Sequence, residues 1–284
     1  VFLATLAHEL RTPLAAISAA IGVVRSDSDE AMLRPQLDLV DRQLAQLVHL
    51  VDDLLDVGRI TRGAIDLRRE PVSLADVLAQ AIESARPALD QEGHDFAVQL
   101  RDAALVVDGD RLRLAQVFQN LLTNAAKYTP PGGRICVRAQ RSGSEAVVSV
   151  IDDGIGIAPE HLSQLFEMFA RPAHTKSAHD GLGIGLALAR SLVGMHGGSI
   201  AARSDGPGRG SEFVVRLPLA PEAAAADVTR LPDATAAAAP LRSRTPRRVL
   251  IADDNADVGN ALATFLRVAG NEVELARDGV EAVE

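Results

Sequence analysis

Leu3, Leu6, Leu10, Leu14, Ile17 and Ile21 recur at steps of three and four along residues 1 to about 25. That is the period of an amphipathic helix. A polar break, Ser26-Asp27-Ser28-Asp29-Glu30, precedes a second such pattern through Leu37, Val40, Leu44, Leu47, Val51, Leu54 and Leu55, fading near Gly58 and Gly63. Two helices joined by a short polar turn predict an antiparallel hairpin over residues 1–66. Each hairpin leaves an apolar stripe to bury, so two copies are expected to pair into a four-helix bundle. From about Pro71 to residue 219 the texture changes to mixed helix and strand. Apolar runs at Phe96–Leu100, Arg134–Ala139, Ala146–Ile151 and Glu212–Pro218 read as strands. Residues 220–246 are rich in Ala and Pro, carry the basic cluster Arg242 to Arg248 and lack a core period, as a flexible linker does. Over 247–284 the chain reads as strand Arg248–Ala252, helix Val258–Val268, strand Glu272–Ala276 and the start of a second helix at Asp278-Gly279. This order opens a doubly wound domain.

With 284 residues, 47% of them apolar and 24% charged, the chain can hold two domains or slightly more. A net charge of −9 gives it no bulk attraction for nucleic acid or anionic lipid, so a bound phosphate needs a local site. The absence of Trp and the single Tyr also argue against an aromatic nucleic-acid surface. One cysteine, Cys136, excludes an internal disulfide and a multi-Cys metal cluster, and its place in a strand-like run predicts a buried, inert thiol. No stretch approaches the roughly 18 to 20 apolar residues needed to span a bilayer. The expected location is cytoplasmic, without a membrane segment in this piece. Both ends fall inside helical patterns, and the chain reads as a fragment of a longer protein whose N-terminal region has room for a membrane anchor.

The first helix carries Ala7-His8-Glu9-Leu10-Arg11-Thr12-Pro13-Leu14. His8 and Thr12 are four apart and share a face, with Leu6, Leu10 and Leu14 on the buried side. Neutral imidazole is nucleophilic near pH 7, and a carboxylate such as Glu9 can hold the ring tautomer and accept its proton. Pro13 removes the hydrogen bond to the Glu9 carbonyl and is expected to kink the helix one turn past His8. The string HELRTPL resembles the phosphoacceptor signature of histidine kinases with a dimerising helical hairpin. The resemblance implies that His8 is phosphorylated, that Glu9 assists as base, and that Thr12 positions water when the bundle dephosphorylates a response regulator. His49, His94, His161, His174, His179 and His196 match no family position and are read as surface or core filler.

Four further clusters lie in the mixed domain. Asn120, Asn124 and Lys127 project from one face of a helix whose other face is Val117, Leu121 and Leu122. Amide oxygens suit Mg²⁺, and Lys127 can offset phosphate charge. Strand Val150-Ile151-Asp152 runs into Asp153-Gly154-Ile155-Gly156, where glycines let backbone approach a ligand and a carboxylate can accept from an amino group. Phe166 and Phe169 in Leu165 to Pro172 fit either plain core or a platform under a lid, which the polar stretch Ala173–Asp180 with Lys176 would form. Gly181, Gly183 and Gly185, with Leu186, precede a helix whose free N–H groups suit phosphate. No strand leads directly into these glycines, which argues against a dinucleotide fold.

In this order the clusters resemble the Bergerat-type ATP site shared by histidine kinases, gyrase-type topoisomerases and Hsp90 chaperones, an α/β sandwich. The resemblance runs over about residues 1–219. It implies ATP and Mg²⁺ as cofactors, Asn124 with Asn120 as the metal ligands, and Asp152 on the adenine. Lys127, Tyr128, Gly154, Gly156, Lys176, Gly181, Gly183, Gly185 and Leu186 would line the nucleotide. Ser211, in Gly210-Ser211-Glu212-Phe213, where Thr is more usual, would touch phosphate or base. ATP-hydrolysing members of the superfamily have Glu where Asn120 stands, and an amide cannot serve as that base. The start at Arg248 resembles a flavodoxin-like response-regulator receiver whose acidic pair, Asp253 and Asp254, binds Mg²⁺; the acceptor aspartate would lie past Glu284. Together these imply a hybrid sensor histidine kinase, homodimeric through its hairpin, that passes phosphate from His8 to a receiver aspartate. A nucleotide-binding scaffold without phosphotransfer and a hydrolytic ATPase remain the competing readings.

Overall fold

A computed structural model of the chain describes residues 2–26, 30–61, 66–102, 105–168, 183–221 and 247–283. It divides into two compact units, Val1–Leu231 and Pro232–Glu284. In the first, helices α1 (Phe2–Ser26) and α2 (Glu30–Thr61) pack on each other. Their short connection makes them an antiparallel hairpin. The helical hydrogen-bonding pattern continues through Pro13, and α2 carries on past Gly58, where apolar patterning fades. Helix propensity is a weak prior, and the packing of neighbouring Val57 against the core of the rest of the unit outweighs one glycine. Ala20 and Leu50 are buried, yet Leu14, Leu44, Val48 and Leu55 are each about half exposed. Leu14 therefore departs from its expected place on the covered side: within one hairpin each helix has a single neighbour, which covers only part of its apolar stripe.

The rest of this unit is an α/β sandwich. A five-stranded sheet has the order β2-β4-β5-β7-β6, formed by β2 (Asp95–Leu100), β4 (Arg134–Ser142), β5 (Glu145–Asp152), β6 (Ser199–Arg203) and β7 (Ser211–Pro218). Only β2 and β4 run parallel; the other pairs are antiparallel. Strands β1 (Glu70–Ser73) and β3 (Val106–Gly109) form a separate antiparallel pair. Helices α3 (Leu74–Gln91), α4 (Arg111–Tyr128) and α6 (Gly185–Met195) make the second layer, and α5 (Pro159–Leu162) is one short turn. The core joins Ile135, Val137, Val148, Val150 and Val215 of the sheet to Leu78, Leu89, Val117, Phe118, Leu121, Leu188 and Leu192 of the helices. Burying side chains of this size contributes roughly 1.5–3 kcal/mol each before entropy is counted. Burial along β4 alternates, with Ile135, Val137 and Ala139 facing the helices. Cys136 lies on the opposite face and is half-buried rather than buried, which corrects the sequence expectation.

In the second unit β8 (Arg248–Ala252) and β9 (Glu272–Ala276) are parallel and joined through α7 (Ala256–Val268). The second helix expected at Asp278 does not develop among the described residues. Asp278 caps a turn through its carboxylate, and the bonds from Ala282 N to Asp278 O and from Val283 N to Val280 O close it. One turn fixes several backbone dihedrals for one hydrogen bond and is unfavourable as a nucleus. Among the described residues, no helix is long and apolar enough to cross a membrane.

Candidate nucleotide and phosphoacceptor site

Helix α4 starts on a strong cap. The Asp110 carboxylate accepts from the N–H groups of Leu112 and Arg113, satisfying two donors that lack intrahelical partners. From there Asn120 and Asn124 follow on one face, with Leu121 and Leu122 buried on the other. Asn120 is itself buried, and its Nδ2 donates to the Gly185 carbonyl at 3.3 Å. This bond leaves its Oδ1, a hard donor suited to Mg²⁺, for another partner. Asn124 is half-buried one turn on; Lys127 is exposed at the last turn with Nζ 5.0 Å from the centre of the Tyr128 ring. The Asn120 bond places the first turn of α6 beside this face. Ile184, the N-cap of α6, supplies no side-chain acceptor, so the free N–H groups there are available to an anion.

Asp152 ends β5 and is buried. Its Oδ1 accepts from Gly154 N at 2.9 Å and Ser211 N at 3.2 Å, and its Oδ2 accepts from the Ser211 hydroxyl at 2.5 Å. Ser211 thus holds the carboxylate from the neighbouring strand β7, a role the sequence expectation of a direct phosphate or base contact did not include. Asp153 points elsewhere, accepting from Arg134 N at 2.7 Å and so pinning the start of β4. The following loop is tied to α4 because Ile155 N donates to Tyr128 O at 3.0 Å. A Cβ on Gly154 would stand 2.4 Å from Tyr128 O, and one on Gly156 2.1 Å from Gly206 O. These close approaches bring Tyr128, Asp152, Gly154, Gly156 and Ser211 into one cradle, although they come from three stretches of the chain. Phe166 packs edge-on against Phe213, ring centres 6.4 Å apart, with the Arg190 guanidinium 5.8 Å from its centre. Leu186 packs against the core, and Gly183 has φ +68°.

Lys176, Gly181 and Phe169, with the lid stretch Ala173–Asp180 and linker residues 222–246, lie outside the described residues. His8 and Glu9 fall on the backbone of α1, but their side chains also lie outside them; Thr12 is exposed one turn further along. In the second unit Asp253 follows β8 and its Oδ1 accepts from Asn255 N at 2.8 Å, while Asn255 caps α7. Asp254, Asn255, Ala256 and Asp257 line a shallow surface depression. Among the described residues no group of three or more His, Cys, Asp or Glu side chains is placed to hold a metal.

Two buried polar assemblies went unread in the sequence. His196, taken there as filler, is buried at the end of α6: Nδ1 donates to Leu192 O at 2.7 Å and Nε2 accepts from Asp110 N at 3.0 Å. Burial holds its pKa below the ordinary 6.5, with Arg69 adding to that effect against the opposing backbone bond and Asp110 and Asp108. The ring is therefore the neutral Nδ1–H tautomer. The second assembly joins Asp56 of α2 to Arg113 and Gln116 of α4. Neither pairing has a local signal, since the partners are 86, 57 and 60 positions apart.

Residues 109–221 match the family described as histidine kinase-, DNA gyrase B- and HSP90-like ATPase, and residues 1–63 match the His Kinase A phospho-acceptor domain. The autoinducer 2 sensor kinase/phosphatase LuxQ of Vibrio parahaemolyticus is 30% identical over 100% of this chain and 33% of its own length. The sensor histidine kinase TrcS of Mycobacterium tuberculosis is 37% identical over 77% of this chain and 43% of its own. The chain thus spans less than half the length of these curated relatives. Among solved structures, full-length ShkA in complex with AMPPNP is similar over 99% of this chain and 56% of that one, with a TM-score of 0.58 and 29% identity. A phospho-acceptor hairpin followed by an ATP-binding domain, with 30% identity to such a relative over the whole chain, makes this chain a member of the sensor histidine kinase family.

Proposed function

We propose that this chain is the kinase core of a two-component sensor: it binds ATP, transfers the γ-phosphoryl group to His8, and passes it to an aspartate of a response-regulator receiver. The observation that carries the reading is Asn120. A buried amide, bonded through its nitrogen to Gly185, stands where a water-activating carboxylate would be needed for hydrolysis. In the transfer an imidazole nitrogen of His8 forms a bond to the γ-phosphorus as the bond from that phosphorus to its bridging oxygen breaks. ADP leaves, and Glu9 takes the ring proton. Asp152, preset by Gly154 and Ser211, accepts from the adenine amino group; the first N–H groups of α6, Gly183 and Gly185 take the phosphates, with Lys127, Lys176 and Gly181 beside them. Mg²⁺, held by the amide oxygens of Asn120 and Asn124, would supply charge neutralisation at the phosphates.

The half-exposed apolar side chains of the hairpin support a homodimer closing a four-helix bundle. Thr12 is the group to orient water when the same bundle dephosphorylates its regulator. The parallel β-α-β unit from Arg248 supports the opening of a receiver domain, hence a hybrid kinase, with Asp253 and Asp254 as part of its Mg²⁺ site. The core is assigned to the cytoplasm, where ATP is supplied. Labelled ATP tests the reading. Acid-labile, alkali-stable label on wild type and none on His8→Gln is expected, whereas label that survives His8→Gln overturns it. Phosphate release without protein label would instead favour an ATPase, and nucleotide binding with neither would favour a scaffold.

A further inference from the structure

We propose that Asp56 is a positioning residue for phosphoryl transfer, setting where the ATP helix α4 meets the phosphoacceptor hairpin. This rests on the kinase reading above. Asp56, near the end of α2, is 4% exposed, and its Oδ2 accepts from Arg113 Nη1 at 2.5 Å and from Gln116 Nε2 at 3.0 Å. Arg113 Nη1 also donates to Gln116 Oε1 at 2.9 Å, closing a three-residue ring. A charge taken this far out of water persists only with its partners in place, so the ring holds one arrangement of the two elements and disfavours small slips. Apolar contact continues it, since Leu50 of α2 is buried in the core of the ATP-binding domain and Val57 packs against that core.

The register has a direction. Arg113 and Gln116 meet Asp56, whereas Gln119, the next turn of α4, lines a groove with Val48 and Asp52 of α2. Thus α4 meets α2 at Asp56, and its following turn faces back toward Asp52 and Val48 across that groove. Gln116, Asn120 and Asn124 are spaced by four and form one stripe, so the residue gripping the hairpin and the amides facing the nucleotide belong to one rigid helix. Asn124 lies eight residues, about 12 Å, beyond Gln116. Val48 lies the same eight residues, about 12 Å, back from Asp56 along α2. The hairpin reverses between Ser26 and Glu30, so His8 on α1 and the stretch from Val48 to Asp56 on α2 both lie in the half of the hairpin away from that reversal. Gripping Asp56 at Gln116 therefore places the helix that carries the amides against the half of the hairpin that carries His8.

The test compares wild type, Asp56→Ala, Arg113→Asp and the double swap Asp56→Arg with Arg113→Asp, reading autophosphorylation rate at saturating ATP, nucleotide affinity and melting temperature. Each single variant is expected to lose about tenfold or more in rate with affinity within about twofold of wild type, because misplacing reactants by an ångström costs rate and not binding. The swap is expected to recover most of the rate. Single variants that keep the wild-type rate, that gain rate, or that lose affinity in parallel overturn the proposal. If Asp56→Ala melts too low to assay, Gln116→Leu removes one donor while leaving the ion pair, and the same split between rate and affinity decides. No label on wild type would instead overturn the kinase reading, and the role of Asp56 with it.

Discussion

The Ser211 hydroxyl donates to Asp152 Oδ2 at 2.5 Å across two neighbouring strands, while two backbone N–H groups hold Oδ1. Three donors fix a buried carboxylate in one orientation before any nucleotide arrives. Hydrogen bonds to a charged group contribute about 1.5–3 kcal/mol, so Ser211→Ala is expected to weaken ATP binding about tenfold. Ser211→Thr keeps the hydroxyl and should bind like wild type. Calorimetric titration with a non-hydrolysable ATP analogue measures both, and equal affinity of Ser211→Ala and wild type would show that Asp152 needs no such support.

Gly154 lies against the Asp152 carboxylate, and Gly210 against the main-chain carbonyl of the same residue. A Cβ on Gly154 would fall 2.4 Å from Tyr128 O and 2.7 Å from Asp152 Oδ1, and one on Gly210, whose φ is +68°, 2.0 Å from Asp152 O. Overpacking of this kind costs about 1–3 kcal/mol, and the left-handed backbone adds strain at Gly210. Gly154→Ala should lose ATP binding with a moderate drop in melting temperature. Gly210→Ala should show the larger drop, by thermal denaturation without ligand.

The ring of His196 must stay neutral to accept from Asp110 N. Its pKa is below the ordinary 6.5, chiefly through burial, so the unfolded chain takes up the proton first as pH falls. Its contribution to stability is complete above about pH 6.5 and declines as pH drops from there toward the depressed folded value. His196→Phe, which leaves the Asp110 N–H unpaired, should cost about 1–3 kcal/mol at pH 8. The gap between it and wild type should narrow below pH 6.5. Denaturant titrations at pH 8 and pH 5.5 check this, and a gap constant with pH would count against the neutral-acceptor role.

Leu44, Val48 and Leu55 are each about half exposed along one helix of a hairpin too thin to bury them. On the proposed homodimer, wild type should run as a dimer and Leu44→Glu with Leu55→Glu as a monomer in light scattering coupled to size exclusion, and a monomeric wild type would count against that pairing. Nucleotide affinity should be unchanged, since neither residue belongs to the ATP-binding core.

Much of the fold is written in periodicity. Steps of three and four specify α1, α2 and α4, and alternation specifies β4, whereas β5 and β7 read as strands from short apolar runs that are buried at consecutive positions. β1, β3 and β6 escape such reading. They span four, four and five residues, and β1 includes Pro71, too little alternation to distinguish from a loop. The exposure of Leu14 and Cys136 escapes it as well, since the pattern marks an apolar face without saying how much of it a neighbour covers.

For the candidate site the division follows sequence separation. Residues that act along one helix, such as Asn120 and Asn124, are legible because helix geometry alone puts them together. The bonds of Ser211 to Asp152, His196 to Asp110 and Asp56 to Arg113 join positions 59, 86 and 57 apart. Local chemistry could state that each of these side chains is polar. Only the folded chain, by excluding water from around them, decided which partner each would have to find.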